Sequence, residues 1–158
     1  MVKYKQINSK KDLSQFQTFE LRQADIDELY AATGLPPLAA IGFILDSKCS
    51  NGWAEIAYEF DTKEILSMFG LNKVNGLNAG IPWMIASPNI IKYKKILMRY
   101  SKKVIEKMLK EVPILYNYVD NRNVVHIHWL KHMGFTIDNH SMLLRGVKFQ
   151  YFYKYKEK

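Results

Sequence analysis

The stretch Asn123-Val-Val-His-Ile-His-Trp-Leu-Lys-His-Met-Gly-Phe135 constrains the fold more than any other part of the chain. Asp120 and Asn121 stand just before it and Asn123 opens it, and their short polar side chains suit the capping of a helix start. About two and a half amphipathic turns follow. They stop at Gly134, where a left-handed residue would end a helix. Phe135 then opens a new apolar run. A chain with this segment must close a short helix sharply and pass at once into a strand.

The elements around it are punctuated by turn residues. Residues 2–7 alternate as a short strand. Leu13 to Thr33 reads as a helix, with Leu21, Ile26, Leu29 and Tyr30 at near-helical spacing and Gly34 as its stop. Pro36-Pro37 opens a second helix. Trp53–Phe60 and Ile65–Leu71 read as strands joined at Asp61-Thr62-Lys63. Ile81–Ala86 is nearly continuous in apolar character, as expected of a strand covered on both faces. Ser87-Pro88-Asn89 opens the longest helix, about residues 89–111, whose apolar stripe is Ile90, Leu97, Val104 and Met108. Pro113 ends it. Ile114–Val119 is a further strand. After the short helix come a strand at Phe135–Ile137, a loop at Asp138–Ser141 and aromatic strand material from Met142 to Tyr155. The expected class is α+β, an α/β/α sandwich with a mixed central sheet of about seven strands and about four helices.

A chain of 158 residues suits one domain, residues 1–158, with a sizeable core. Apolar residues at 48% and aromatics at 13% argue against disorder. The single cysteine, Cys49, excludes a disulfide framework within the chain and has no adjacent His or basic helix start to activate it. No apolar run resembles a signal peptide, and none approaches the roughly 20 residues of a membrane span. The expectation is a soluble, intracellular protein. The formal net charge of +8 favours phosphate-bearing or acidic partners, or reflects a lysine-rich solvated surface.

The order strand, two helices, three strands, long helix, strand, short helix, closing strands resembles the GCN5-related N-acetyltransferase (GNAT) fold. The short helix ending in Gly134-Phe135 resembles that fold's fourth segment. A narrower resemblance is to GNAT-like internal virion proteins of short-tailed bacteriophages. It is carried by Gly34-Leu-Pro-Pro-Leu38, Gly80-Ile-Pro-Trp-Met84, Leu115-Tyr-Asn-Tyr-Val-Asp-Asn-Arg-Asn123, Trp129-Leu-Lys-His-Met-Gly-Phe135 and Gly146-Val-Lys-Phe-Gln-Tyr-Phe152. It implies a role in virion assembly or in the particle, other virion proteins as partners, and a place in the host cytoplasm or packaged in the virion.

The fold resemblance also implies a sheet splayed between its fourth and fifth strands, with acetyl-CoA or CoA in the split. Ile85, Ala86, Ser87, Asn89, Lys92, Lys94, Lys95 and Asn123 would then lie along the cofactor. In GNAT enzymes a glycine-rich turn before the long helix offers backbone N–H groups to the pyrophosphate. Here Ala86-Ser-Pro-Asn-Ile-Ile-Lys-Tyr-Lys-Lys95 contains no glycine, and Pro88 has no donor. Leu130 stands where many of these enzymes carry a tyrosine acid. A general base is also missing from the central strand, leaving Asp120 and Glu59 as the nearest carboxylates by position. Asn117, an amide in an apolar strand, needs a hydrogen-bond partner, either across the split or in a neighbouring loop. Asp120 and Asn117 are thus the catalytic candidates.

Other features are weighed against plainer readings. His128 and His132 stand four apart and would need His140 or Asp120 to complete a metal set, so no metal is expected. Lys92, Lys95, Arg99, Lys102, Lys103 and Lys110 recur on one face of the long helix, either as a nucleic-acid track or as a solvated face. The aromatic Phe149-Gln-Tyr-Phe-Tyr153, if a sheet edge, would allow strand-to-strand homodimers. Three functions remain open: a virion or assembly protein with acetyl transfer weak or lost, an active acetyl-CoA-dependent N-acetyltransferase, and a basic nucleic-acid- or partner-binding adaptor.

Overall fold

The turn signals fall where the chain turns. In the computed structural model, which describes residues 1–47 and 51–158, seven strands and four α-helices follow one another. They are β1 (Val2–Ile7), α1 (Gln23–Thr33), α2 (Pro37–Ser47), β2 (Gly52–Glu59), β3 (Ile65–Lys73), β4 (Ala79–Ala86), α3 (Lys94–Glu111), β5 (Ile114–Asp120), α4 (Val124–His132), β6 (Thr136–Leu144) and β7 (Val147–Tyr155). Cys49 lies outside the described residues. Gly34, at φ 73°, ends α1 by donating its N–H to the Tyr30 carbonyl. Pro37 opens α2, at a position where a missing N–H costs nothing. No single described helix is long and apolar enough to cross a membrane.

The strands form one sheet in the order β1-β2-β3-β4-β5-β7-β6. All neighbours are antiparallel except β4 and β5. On one face α1 and α2 bury Leu29, Ile41 and Leu45 against Ile7, Ile56, Met68 and Ile85. On the other, α3 and α4 bury Leu97, Val104, Met108 and Leu130 against Phe69, Leu115, Val119 and Phe152. Each such side chain contributes roughly 1.5–3 kcal/mol of burial, which is why the sheet holds a helix layer on both sides.

The parallel pair is the exception that shapes the molecule. β4 and β5 are paired only at Ala79–Ile114 and Gly80–Leu115, and beyond that point the strands part. The next ladder position on β4 is Pro82, which has no N–H to donate. Asn117 reaches across instead: its Nδ2 donates to the Pro82 carbonyl at 2.8 Å, and its Oδ1 accepts the Tyr118 N–H at 2.8 Å. The sheet therefore opens as a V between its fourth and fifth strands.

Four expectations are corrected. The helix expected from Leu13 begins only at Gln23. Before it, Asp12 accepts the N–H groups of Asn8 and Ser9 and closes a 3-10 turn over Lys10–Leu13. The N–H groups of Gln17 and Arg22 then bond to Lys63, in the β2–β3 turn, and to Ala86 of β4, so these amides do not serve a helix. The long helix is entered through a 3-10 turn, Pro88–Tyr93. The expected loop at 138–141 is part of β6, with the register shifting between Ile137 and Ser141. Phe149–Tyr153 is not a sheet edge, since β7 is paired on both sides and the outer strand is β6. The premise for dimerisation through that strand is therefore absent.

Gly70 of β3 leaves room for the indole of Trp83. A Cβ there would lie 2.3 Å from the Trp53 carbonyl oxygen and 2.7 Å from the Trp83 ring. Gly70→Ala is expected to lower stability by about 3 kcal/mol, at the upper end of overpacking costs. Urea midpoints measure it, and a change under about 0.5 kcal/mol would contradict this packing.

Candidate active site

The V is the floor of a large cavity, about 1110 Å³, that reaches both faces of the sheet. Its walls include Ile81–Ala86 of β4, Asn117 and Tyr118 of β5, Leu29 and Thr33 of α1, Leu97 and Ser101 of α3, and His128 and Trp129 of α4. The lining is mostly apolar, as ligand pockets are.

Polar chemistry converges on it from α1. Arg22, at the N-cap, is followed by Asp25 and Glu28, three residues apart each time and so on neighbouring parts of one helix surface. Asp25 is buried. Its Oδ2 accepts the Ala86 N–H at 2.9 Å, and its Oδ1 accepts from Asn123 Nδ2 at 3.0 Å with Arg22 Nη1 at 3.5 Å. Glu28 Oε1 accepts the Asp120 N–H at 2.6 Å. Its Oε2 is less committed, 3.5 Å from Asn123 Nδ2 and 3.6 Å from His126 Nδ1. That His126 nitrogen is buried and has no hydrogen-bond partner among the described residues. Burial raises the pKa of Asp25, against the opposing pull of Arg22, the Ala86 N–H, His126 and Asn123.

The two carboxylates thus do different work. Asp25 is saturated and holds the end of β4. Glu28 keeps one oxygen available beside an imidazole. Asp25, Glu28 and His126 also place ligand atoms within 4.8 Å of one another. The guanidinium beside Asp25 and its two filled oxygens fit a hydrogen-bond network better than a cation site.

The backbone contributes one more group. Ala86 gives its N–H to Asp25 and receives the Arg22 N–H on its carbonyl, so its polar edge faces away from β3. The two-residue period of an antiparallel ladder points Met84 the same way, into the V. Met84 lies beyond the last residues of β4 that pair with β5, and it lines the cavity.

The sequence candidates scatter. Asn117, Ile85, Ala86 and Lys94 line the cavity. Asp120 does not: its buried carboxylate is gripped by Arg122 through the backbone N–H, Nε and Nη2. That leaves it no free oxygen to act as a base. Glu59 sits at the end of β2 and accepts the Thr62 N–H, away from the cavity. Asn123 is the N-cap residue of α4 but makes no side-chain cap bond, because its amide is spent on Asp25 and Arg22.

The anion-binding turn is closed from within. Ser87 is buried and gives its N–H to Leu66, Pro88 has none, Asn89 donates to Ser87 Oγ, and Ile90 donates to the Ser87 carbonyl. The Asn89 side chain bonds to Glu64. Because the 3-10 turn runs straight into α3, Lys94 also donates backwards, to Ile91. Lys92 and Lys95 are exposed and lie off the cavity. His128 and His132 line the cavity, but His140 packs against Tyr118 and Tyr151, and these residues form no ligand set among the described residues.

Arg22, Asp25, Glu28, His126 and Met84 were missed in the sequence. One signal was there: Asp25 is four residues before Leu29, an acid in line with the apolar side of its own helix. A carboxyl with a raised folded-state pKa adds stability that is complete below its ordinary value near ~3.9 and is lost as pH rises through the raised value. Asp25→Asn removes that contribution. Its urea midpoint, relative to the unaltered protein, is expected to improve as pH rises through this window. A difference that does not vary with pH would contradict the burial argument.

No family model matches the chain, and no curated protein matches it in sequence. Solved structures do. An acetyltransferase of Bacillus subtilis, solved in complex with CoA, is 14% identical with a TM-score of 0.62, covering 99% of this chain and 100% of that one. The IAA acetyltransferase of Bacillus cereus is 13% identical with a TM-score of 0.61, over 99% and 100%. Spermidine N-acetyltransferase of Vibrio cholerae, solved with CoA and spermine, is 10% identical with a TM-score of 0.62, over 98% and 95%. At such identities the likeness is one of architecture, and it agrees with the split between β4 and β5: the chain has the GNAT acetyltransferase fold.

Proposed function

We propose that this protein transfers an acyl group from a pantetheine thioester to an amine, in the manner of the N-acetyltransferases it resembles in fold. The observation that carries the reading is the convergence of Glu28 and His126 on the open V. It supplies the base that the sequence reading lacked.

The roles follow from chemistry. An amine must be neutral to attack a thioester, and Glu28 Oε2, beside His126 Nδ1, is placed to take its proton. Asp25, already saturated, keeps α1 fixed to the end of β4. The Met84 N–H is the donor available to a developing oxyanion in the V. Leu130 offers no acid, but a thiol of ordinary pKa, about 8.5, leaves readily without one. The cavity around the V suits the narrow pantetheine arm. The closed turn at Ser87–Ile90 does not suit a pyrophosphate.

That misfit favours a second reading, a protein of virion assembly in which transfer is weak or lost. It is supported by the absent anion cradle and by the phage-like motifs.

Thiol release from acyl-pantetheine thioesters, scanned over amine acceptors, tests the first reading. Glu28→Gln is expected to lower kcat by about 10²- to 10⁴-fold with little change in KM for the thioester. Equal kcat in the variant would remove Glu28 from the chemistry. No thioester binding even at millimolar concentration would favour the second reading.

A further inference from the structure

Where α3 and α4 start beside the V, the cavity mouth carries one exposed cation, Lys94, amid side chains that offer a nucleotide few partners. The backbone donors of the Ser87–Ile90 turn are bonded internally or absent, so no amide cradle faces the cavity mouth. Aliphatic side chains stand there instead. Ile91 is 73% exposed, Ile96 52%, Val124 69% and Val125 65%. Ile91, Val124 and Val125 line the cavity entrance between the start of α3 and the start of α4. Isolated exposed aliphatics need no explanation, but Ile91, Val124 and Val125 together at one cavity mouth form a patch suited to a partner. Lys92 and Lys95 flank them, exposed and clear of the cavity.

We propose that the acyl donor reaches this site on an acidic carrier protein, whose phosphopantetheine arm enters the V while the carrier docks on the Ile91–Val124–Val125 rim. The inference rests on the acyl-transfer reading above and names its donor. A pantetheine slot without a nucleotide cradle selects a donor that has no nucleotide. An apolar rim edged by lysines, on a chain of net charge +8, complements a negatively charged protein face. A free nucleotide would instead set its ribose and adenine against exposed isoleucine and valine with no amide to hold its phosphates. In the transfer, the thioester C–S bond breaks and the C–N bond forms. The amine proton passes to Glu28, the carrier's thiolate takes a proton from water, and Glu28 returns its proton to the resulting hydroxide, so no net proton is gained or lost.

The test compares four acetyl donors with the intact protein: acetyl-pantetheine, acetyl-4′-phosphopantetheine, acetyl-CoA, and an acyl carrier protein bearing the acetylated arm. Acetyl-CoA is expected to match acetyl-phosphopantetheine in kcat/KM within about threefold, since the nucleotide finds no partner. The carrier-bound donor is expected to exceed both by about tenfold or more, with the advantage shrinking as salt rises. Lys92→Glu with Lys95→Glu should abolish that advantage and leave turnover of acetyl-pantetheine unchanged. A tenfold preference for acetyl-CoA over acetyl-phosphopantetheine, or a carrier no better than its free arm, overturns the inference while leaving acyl transfer intact. No turnover with any of the four overturns both.

Discussion

Most main-chain N–H and C=O groups that a split sheet leaves buried need a partner, and that requirement organises this protein. β4 and β5 stop pairing after Gly80 and Leu115. Three side chains, making four hydrogen bonds, then close the opening from its two sides. Asn117 bridges to the Pro82 carbonyl and takes the Tyr118 N–H, Asp25 takes the Ala86 N–H, and Glu28 takes the Asp120 N–H. Helix α1 is thereby bound to both arms of the V by its own carboxylates. The break in the ladder and the acids beside it are one feature.

This arrangement explains why the site residues are unequal. A carboxylate used to hold backbone is a poor base, because its lone pairs are occupied and the structure depends on its geometry. Asp25 and Asp120 are of that kind. One is locked between Ala86, Asn123 and Arg22, the other folded onto Arg122. Glu28 divides its oxygens, one for the Asp120 N–H and one toward His126 and the cavity. The same side chain anchors the strand end and lines the cavity, so the base proposed above is positioned by the hydrogen bond it already makes.

The donor side shows the opposite outcome of the same rule. The turn after β4 satisfies its amides internally, through Ser87 and a 3-10 path into α3. A glycine-rich turn would leave such groups pointing outward for an anion. Here serine, proline and asparagine turn them inward, and isoleucines face the opening. Fold likeness carries the split between β4 and β5 to this chain, and under the proposed acyl transfer the turn chemistry would decide what kind of donor that split accepts.

Much of this was legible in the residues. Gly34, Pro37, Pro113 and Gly134 mark element ends by backbone conformation or a missing donor, properties that belong to single residues. Hydrophobic period marks β4 and α3, and the order of elements restricts the fold to very few. The absence of a glycine between Ala86 and Lys95 already spoke against a pyrophosphate cradle. The 3-10 entry to α3, the interior position of β7 and the late start of α1 were not legible, because each depends on backbone bonds to strands distant in the chain. The site lay furthest from view. Asp25, Glu28 and His126 are meaningful only once α1 and α4 meet across the opening, with Asn123 and Asp25 hydrogen-bonded although 98 residues apart in sequence. Local chemistry determined where this chain bends and where it cannot pair. Only tertiary structure decided which carboxylate keeps a free oxygen, since that depends on what every other nearby donor has already claimed.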